Sequence, residues 1–250
     1  MNSQSLNITG ERTIVFSSKH QARMTDTITP DISRDKNFMD LFEHVKPYTM
    51  TSVEALFSLY SAVGYVLERN IPGDLVECGV WRGGSSLLIA LMLQQREIHD
   101  RRVLLYDTFS GMPAPTEFDV DKYGRTGFQM MEDYSDEVGW CYASRADVQS
   151  VFDRHNFAFQ VELIEGDVMQ TLLIDPPASI SLLRLDTDWY ESTALEYDVL
   201  YPRLSTGGVL IIDDYGVWAG SRKATDDYFI KTPKPLIVRI DKEVRLAIKL

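Results

Sequence analysis

Five short apolar runs in this chain end on an acid or a glycine: Asp74 to Gly79, Val103 to Asp107, Val161 to Gly166-Asp167, Ile180 to Asp186 and Gly208 to Asp213-Asp214. Stretches with helical spacing lie between them, from Gly83-Gly84-Ser85-Ser86 to about Ile98 and from Glu191 to Leu204, with another from Ser221 to Ile230. Short β-rich runs alternating with helices bury both faces by lying side by side in a mainly parallel sheet with helices on each side. Leu236 to Ile240 and Glu243 to Lys249 flank Asp241-Lys242 as a closing antiparallel hairpin, which brings the sheet to seven strands. The expected fold class is therefore α/β and doubly wound, in the Rossmann-like manner. With 250 residues the chain has enough length for one good-sized core.

Residues 1–35 are polar and charged, without an apolar stretch of the signal-peptide kind, and read as a flexible N-terminal arm. Residues 36–250 read as a single domain. Asn37 to Val45 is a short helix, and from Thr51 a longer one places Val53, Leu56, Phe57, Tyr60, Val63 and Leu67 on one face until Ile71-Pro72-Gly73 stops it. The stretch from 108 to 159 breaks the strand–helix rhythm. It carries Pro113, Pro115, Gly124 and Gly127, and its length fits a lid inserted over a site.

Charge and cysteine content narrow the partners. A net charge of −12 repels phosphate backbones and anionic membrane surfaces, so neither nucleic acid nor lipid is expected as a partner. Cys78 and Cys141 are too few for a disulfide framework, which points to the reducing cytoplasm. A homo-oligomer is left open.

In an open α/β sheet the ligand sits beyond the carboxyl ends of the strands. Glu77-Cys78-Gly79-Val80-Trp81-Arg82-Gly83-Gly84-Ser85 is a strand-to-helix turn. Gly79 allows a tight bend there, and Gly83 lets a ligand approach a helix N-terminus. The bulk of Val80-Trp81 fits a phosphate-binding glycine motif poorly. That disfavours a nicotinamide-dependent oxidoreductase, and the loop suits a less intrusive group such as a methionine moiety. Asp107, at the second strand's tip, is placed to accept ribose hydroxyls. Asp186, Asp213 and Asp214 end two further strands. All-oxygen ligands without His or Cys suit Mg²⁺ or Mn²⁺, and a non-enzymatic nucleotide-binding module would leave them unused. Trp189-Tyr190 and Tyr215 follow these acids and can wall a pocket. His20, His44, His99 and His155 show no metal-binding spacing.

At these residues the chain resembles the macrocin O-methyltransferase family. The matching stretches are Asp74-Leu-Val-Glu-Cys-Gly-Val-Trp-Arg-Gly-Gly84, Asp107-Thr-Phe-Ser-Gly-Met-Pro113, Leu183-Arg-Leu-Asp-Thr-Asp188 and Tyr201 through Ile-Ile-Asp-Asp-Tyr215, with Thr49-Met50 before the first long helix. The resemblance implies a class I methyltransferase fold that moves a methyl group from S-adenosylmethionine to a hydroxyl, in that family usually of a sugar, on a small natural product. It further implies Asp186, Asp213 and Asp214 as metal ligands. It places Thr49, Met50, Glu77, Gly79, Trp81, Gly83, Ser85, Asp107 and Asp186 around the cofactor, with Gly166 and Asp167 near the adenine. Catechol-type methyltransferases carry a lysine base three residues beyond the first metal aspartate, where this chain has Trp189. The proton is therefore expected to go to a carboxylate, Asp186 or Asp188, with the favoured expectation that Asp186 both binds metal and acts as base. A phenol or polyketide hydroxyl is the alternative acceptor.

Overall fold

The computed structural model describes residues 28–133 and 140–250. Most of the expected arm, residues 1–27, lies outside the described residues. The remainder of the arm is docked. Pro30–Ser33 (α1) forms one turn whose Ile32 is buried in the core, and burial of a side chain of that size contributes about 1.5–3 kcal/mol. Helix α2 (Lys36–Val45) starts where the Asp35 carboxylate accepts from the Phe38 N–H, and α3 (Val53–Glu68) where Ser52 accepts from Ala55.

From there strands and helices alternate. They are β1 (Asp74–Cys78), α4 (Gly84–Gln95), β2 (Val103–Asp107), α5 (Gly127–Asp133), α6 (Arg145–Asp153), β3 (Val161–Glu165), α7 (Val168–Thr171), β4 (Ile180–Leu185), α8 (Tyr190–Leu200), β5 (Leu204–Ile212), α9 (Ala219–Lys231), β6 (Val238–Arg239) and β7 (Arg245–Ile248). The seven strands lie in the order β3-β2-β1-β4-β5-β7-β6. The first five are parallel, and β7 pairs antiparallel with both β5 and β6. The doubly wound sheet and its closing hairpin are thus as the sequence implies. Strand β5 is longer than expected, beginning at Leu204 instead of Gly208, because Leu204 pairs with Ile180 of β4 and the Gly207 N–H reaches the Lys249 carbonyl just beyond β7.

Alternate residues along each strand feed two cores. Leu75, Val103, Leu105, Leu182, Val209 and Ile211 pack under α2, α3, α4 and α6. Val76, Cys78, Leu104, Leu183, Leu185 and Ile212 pack under α7, α8 and α9. The strand order reverses between β1 and β4, so their carboxyl ends open into a crevice. Among the described residues no helix is long and apolar enough to cross a membrane.

The expected insertion at 108–159 is partly ordered. Helix α6 covers β3. Residues 108–133 are tied to the sheet's carboxyl edge by Asp119, which is fully buried and accepts from the Thr116 and Tyr190 N–H groups (2.6 and 2.7 Å). The Ala219 N–H adds a bond to the Val120 carbonyl (2.9 Å). Residues 134–139, also within the expected lid, lie outside the described residues. At the Asp121–Arg125 turn Tyr123 is 77% exposed. Among cuts after residue 28, limited proteolysis is therefore expected to fall first within 108–159, at this turn, because cleavage needs exposed, weakly packed backbone. A first cut inside β1 to β5, read by mass spectrometry, would contradict the assignment.

Candidate active site

A cleft of about 370 Å³ opens at the carboxyl ends of β1, β2, β4 and β5. Thr49, Met50, Glu77, Gly79, Trp81, Ser85, Asp107, Asp186, Asp188, Asp213 and Asp214 all line it. Gly83, Gly166 and Asp167 do not. Gly83 is the N-cap residue of α4 and faces Phe152. Gly166 donates its N–H to the Asp107 carbonyl, and Asp167 caps α7 by accepting from Met169.

Two glycines are required by contact as well as by turn geometry. At Gly79, with φ at +82°, a Cβ would come within 1.9 Å of the Asp186 carbonyl oxygen, so the turn after β1 rests directly on the turn after β4. At Gly84 a Cβ would meet Thr49 and the Tyr48 carbonyl at 2.7 Å, which seats the Thr49-Met50 segment on the start of α4.

Asp107 organises the β1 turn. Its Oδ2 accepts from the Val80 and Trp81 N–H groups (2.6 and 3.0 Å) and its Oδ1 from Phe109 (2.7 Å). Burial pushes this carboxyl above the usual carboxylate range, against the pull of those N–H groups. Trp81, Phe109 and Asp188 all hold positive φ between 47° and 63°. Each costs on the order of 1–3 kcal/mol, and such outliers cluster at working sites.

The sequence expectations do not include Arg184, the cation at the centre of the acids. It is buried in β4, and its Nη1 donates to Glu77 Oε1 (2.6 Å) and Asp186 Oδ2 (2.5 Å). Its Nη2 donates to Asp213 Oδ1 (2.5 Å) and Thr51 Oγ1 (3.0 Å). Burial alone would lower the guanidinium's pKa, but Asp186, Asp213 and Glu77 together raise it well above the ordinary arginine value. Glu77 is also bonded by the Ser86 hydroxyl, yet burial still raises its pKa. A lone charge inside the run Ile180–Leu185, two residues before Asp186 and so on the same face, is the sequence signal for this clamp.

One arginine faces five carboxylates here, Glu77, Asp186, Asp188, Asp213 and Asp214. Asp186, Asp188 and Asp214 each present an oxygen within 4.8 Å of the others. Burial raises the pKa values of Asp186 and Asp214 well above the usual range; at Asp186 the Arg184 charge pulls the other way while Asp213 and Asp214 add to the rise, and at Asp214 Asp188 and Asp213 add to it. Asp214 Oδ2 is buried with no hydrogen-bond partner. A buried, orphaned oxygen in an all-carboxylate set fits a hard divalent cation. Asp213 is turned to Arg184 by one oxygen. The opposite wall is apolar. Met112, Met130, Trp140 and Trp218 line it, and Trp189 packs behind them with ring centroids 4.9–5.9 Å apart and its Nε1 donating to the Pro113 carbonyl, so that Trp189, Tyr190 and Tyr215, expected as walls, stand outside the cleft lining.

Comparison with known proteins agrees with this architecture. A profile of the macrocin O-methyltransferase (TylF) family matches residues 3–243. Demethyldecarbamoylnovobiocin O-methyltransferase of Streptomyces niveus is 34% identical over 74% of this chain and 68% of its own length. A tetracenomycin-C derivative 4'-O-methyltransferase of Streptomyces olivaceus, named for its dimethoxy-rhamnosyl substrate, is 37% identical over 72% and 67%. The structure of the O-methyltransferase NovP superposes with a TM-score of 0.71 at 32% identity, covering 81% of this chain and 82% of that one. The calicheamicin methyltransferase CalS11, at 19% identity and a TM-score of 0.57, shares the fold. With nearly its whole length matched and the strand-tip acids in place, the chain belongs to the macrocin O-methyltransferase family.

Proposed function

We propose that this protein transfers a methyl group from S-adenosylmethionine to a sugar hydroxyl of a small natural product, aided by a divalent cation, Mg²⁺ or Mn²⁺. The observation that carries this reading is one cleft holding both the Asp107-braced turn after β1 and the acid cluster after β4 and β5. The sugar is favoured because a relative is named as a 4'-O-methyltransferase of a substrate that carries a dimethoxy-rhamnosyl group.

When bound, S-adenosylmethionine supplies an electrophilic sulfonium methyl, and the cation supplies a charge that makes a hydroxyl more acidic. The chain's own residues do the rest. Asp107 would hold the ribose with the lone pairs its backbone donors leave. Thr49, Met50 and Ser85 line the methionine side. Asp186, Asp213 and Asp214 would hold the cation, the first two fixed side by side by Arg184. That contact occupies one Asp186 oxygen and turns it away from an incoming hydroxyl, so the role of base passes to Asp188, which lies within reach of the same oxygens and takes the hydroxyl proton. The insertion at 108–159 supplies the acceptor side of the cleft through Met112, Met130 and Trp140, whose apolar surface excludes water.

The test is binding followed by transfer. In a thermal-shift screen of S-adenosylmethionine, NAD and ATP, each with and without Mg²⁺, only S-adenosylmethionine should stabilise the protein. A response to NAD alone would favour an oxidoreductase. Asp107→Ala should then weaken S-adenosylmethionine binding by about 1.5–3 kcal/mol, the scale of a lost charge-assisted hydrogen bond. Calorimetry showing wild-type affinity in that variant would remove Asp107 from the site.

A further inference from the structure

On the sheet face opposite Arg184, a second buried acid touches the catalytic turn. Glu196 of α8 is fully buried, and its Oε1 accepts from the Thr187 hydroxyl at 3.0 Å. Its Oε2 is buried without a hydrogen-bond partner. The groups facing this carboxyl are the Cys78 thiol at the tip of β1, the Thr187 hydroxyl, and the phenol of Tyr197 on α8, which is itself bonded to Thr225 of α9. None of these is a cation. Burial without a counter-charge pushes Glu196 up to about 8, so it carries its proton at neutral pH.

Thr187 sits between Asp186 and Asp188. Backbone bonds hold the two ends of this turn. The Asp186 N–H donates to the Cys78 carbonyl (2.8 Å), and the Trp189 N–H donates to the Thr187 carbonyl (2.7 Å). Two side-chain bonds reach its middle: the Thr187 hydroxyl donates to Glu196, and the Ser192 hydroxyl donates to the Thr187 carbonyl at the longer distance of 3.4 Å. Asp188 next to it keeps a left-handed backbone, with φ at +63°. A strained conformation persists only where its surroundings hold it.

We propose that Glu196 is a positioning residue for the methyl transfer, which grips the Thr187 hydroxyl from beneath and so sets where the Asp186 and Asp188 carboxylates point. This rests on the reading of the cleft as the transfer site. A neutral carboxyl suits the role, since it holds the hydroxyl without adding another negative charge to an already acidic cluster. Stability does not explain the residue. Leucine of similar volume in its place would remove an orphaned buried oxygen while giving up one bond to the half-buried Thr187 hydroxyl, so the two changes should nearly offset.

The experiment uses the full chain with three variants, Glu196→Leu, Glu196→Gln and Thr187→Val. Three readouts are followed: amide hydrogen exchange at Trp189, Mn²⁺ affinity by calorimetry, and kcat and KM with demethyldecarbamoylnovobiocin as a probe acceptor. Glu196→Leu and Thr187→Val should each speed Trp189 exchange and weaken Mn²⁺ binding on the order of 10-fold, the scale of one lost hydrogen bond. kcat should fall similarly, with KM for S-adenosylmethionine and the melting temperature little changed. Glu196→Gln, which keeps an acceptor for Thr187, should stay within about twofold of wild type on every readout, since that bond is retained. Unchanged exchange and Mn²⁺ affinity in the first two variants would overturn the proposal, as would Glu196→Gln behaving like Glu196→Leu. If Glu196→Leu does not fold, Thr187→Val carries the test alone. If the wild type binds neither S-adenosylmethionine nor Mn²⁺, the reading of the cleft fails, and the exchange measurement alone decides the role of Glu196.

Discussion

Replacing Asp188 by asparagine is expected to lower kcat by roughly 10²–10⁴-fold, the usual scale for loss of a general base. The melting temperature and the affinity for S-adenosylmethionine should stay near wild type. Asparagine keeps the size of the side chain and one ligating oxygen and removes only the basicity. It also tolerates the left-handed backbone at this position better than most residues. Excess Mg²⁺ should not restore the rate. Asp214→Asn should behave differently. That carboxylate has a buried oxygen without a hydrogen-bond partner, so its loss should act through cation affinity and be partly rescued by high Mg²⁺. If high Mg²⁺ returns Asp188→Asn to near the wild-type rate, Asp188 is a ligand. The proton must then go to Asp186, in spite of the 2.5 Å contact that Arg184 makes with it.

Exhaustive treatment with EDTA is expected to abolish turnover, and added Mg²⁺ to restore it. Two unit charges 4 Å apart near a protein surface interact by about 4 kcal/mol, and the cleft gathers Asp186, Asp188 and Asp214 more closely than 5 Å, with Glu77 and Asp213 behind them. Arg184 balances one of these charges. Without a further cation the group can exist only by holding protons, consistent with the raised pKa values of Asp186 and Asp214. A carboxylate kept protonated cannot take a proton from a hydroxyl. Full activity in metal-free buffer would therefore remove the cation from the mechanism.

The strand tips were the legible part of the sequence. Each apolar run is bounded by an acid or glycine that only a turn at a sheet edge explains, so the sequence places Gly79, Asp107, Asp186 and Asp213-Asp214 on one edge, where the cleft lies. Arg184 was less legible. Its position as a lone charge in an apolar strand marks it, but two of its partners come from β1 and the end of β5, and sequence spacing does not name partners on other strands. Glu196 read as one more polar position on a helix, because helical periodicity does not say which turn meets the sheet. The two tryptophans outside the acid motifs, Trp140 of the insertion and Trp218 before α9, meet Trp189 through loops whose paths have no period. Gly166 and Asp167 carried the same acid-and-glycine signature as the site residues. In the structure Gly166 bonds the Asp107 carbonyl and Asp167 caps α7.

The contact between Gly79 and the Asp186 carbonyl has a bearing on how such enzymes can be recombined. Because no side chain fits between these two turns, they share one surface, and the height of one sets the height of the other. Chimaeras that take residues up to about 80 from one parent and those beyond 180 from another would inherit turns shaped for different neighbours. Exchanges confined to 108–159 would leave that junction intact, with both turns coming from a single parent.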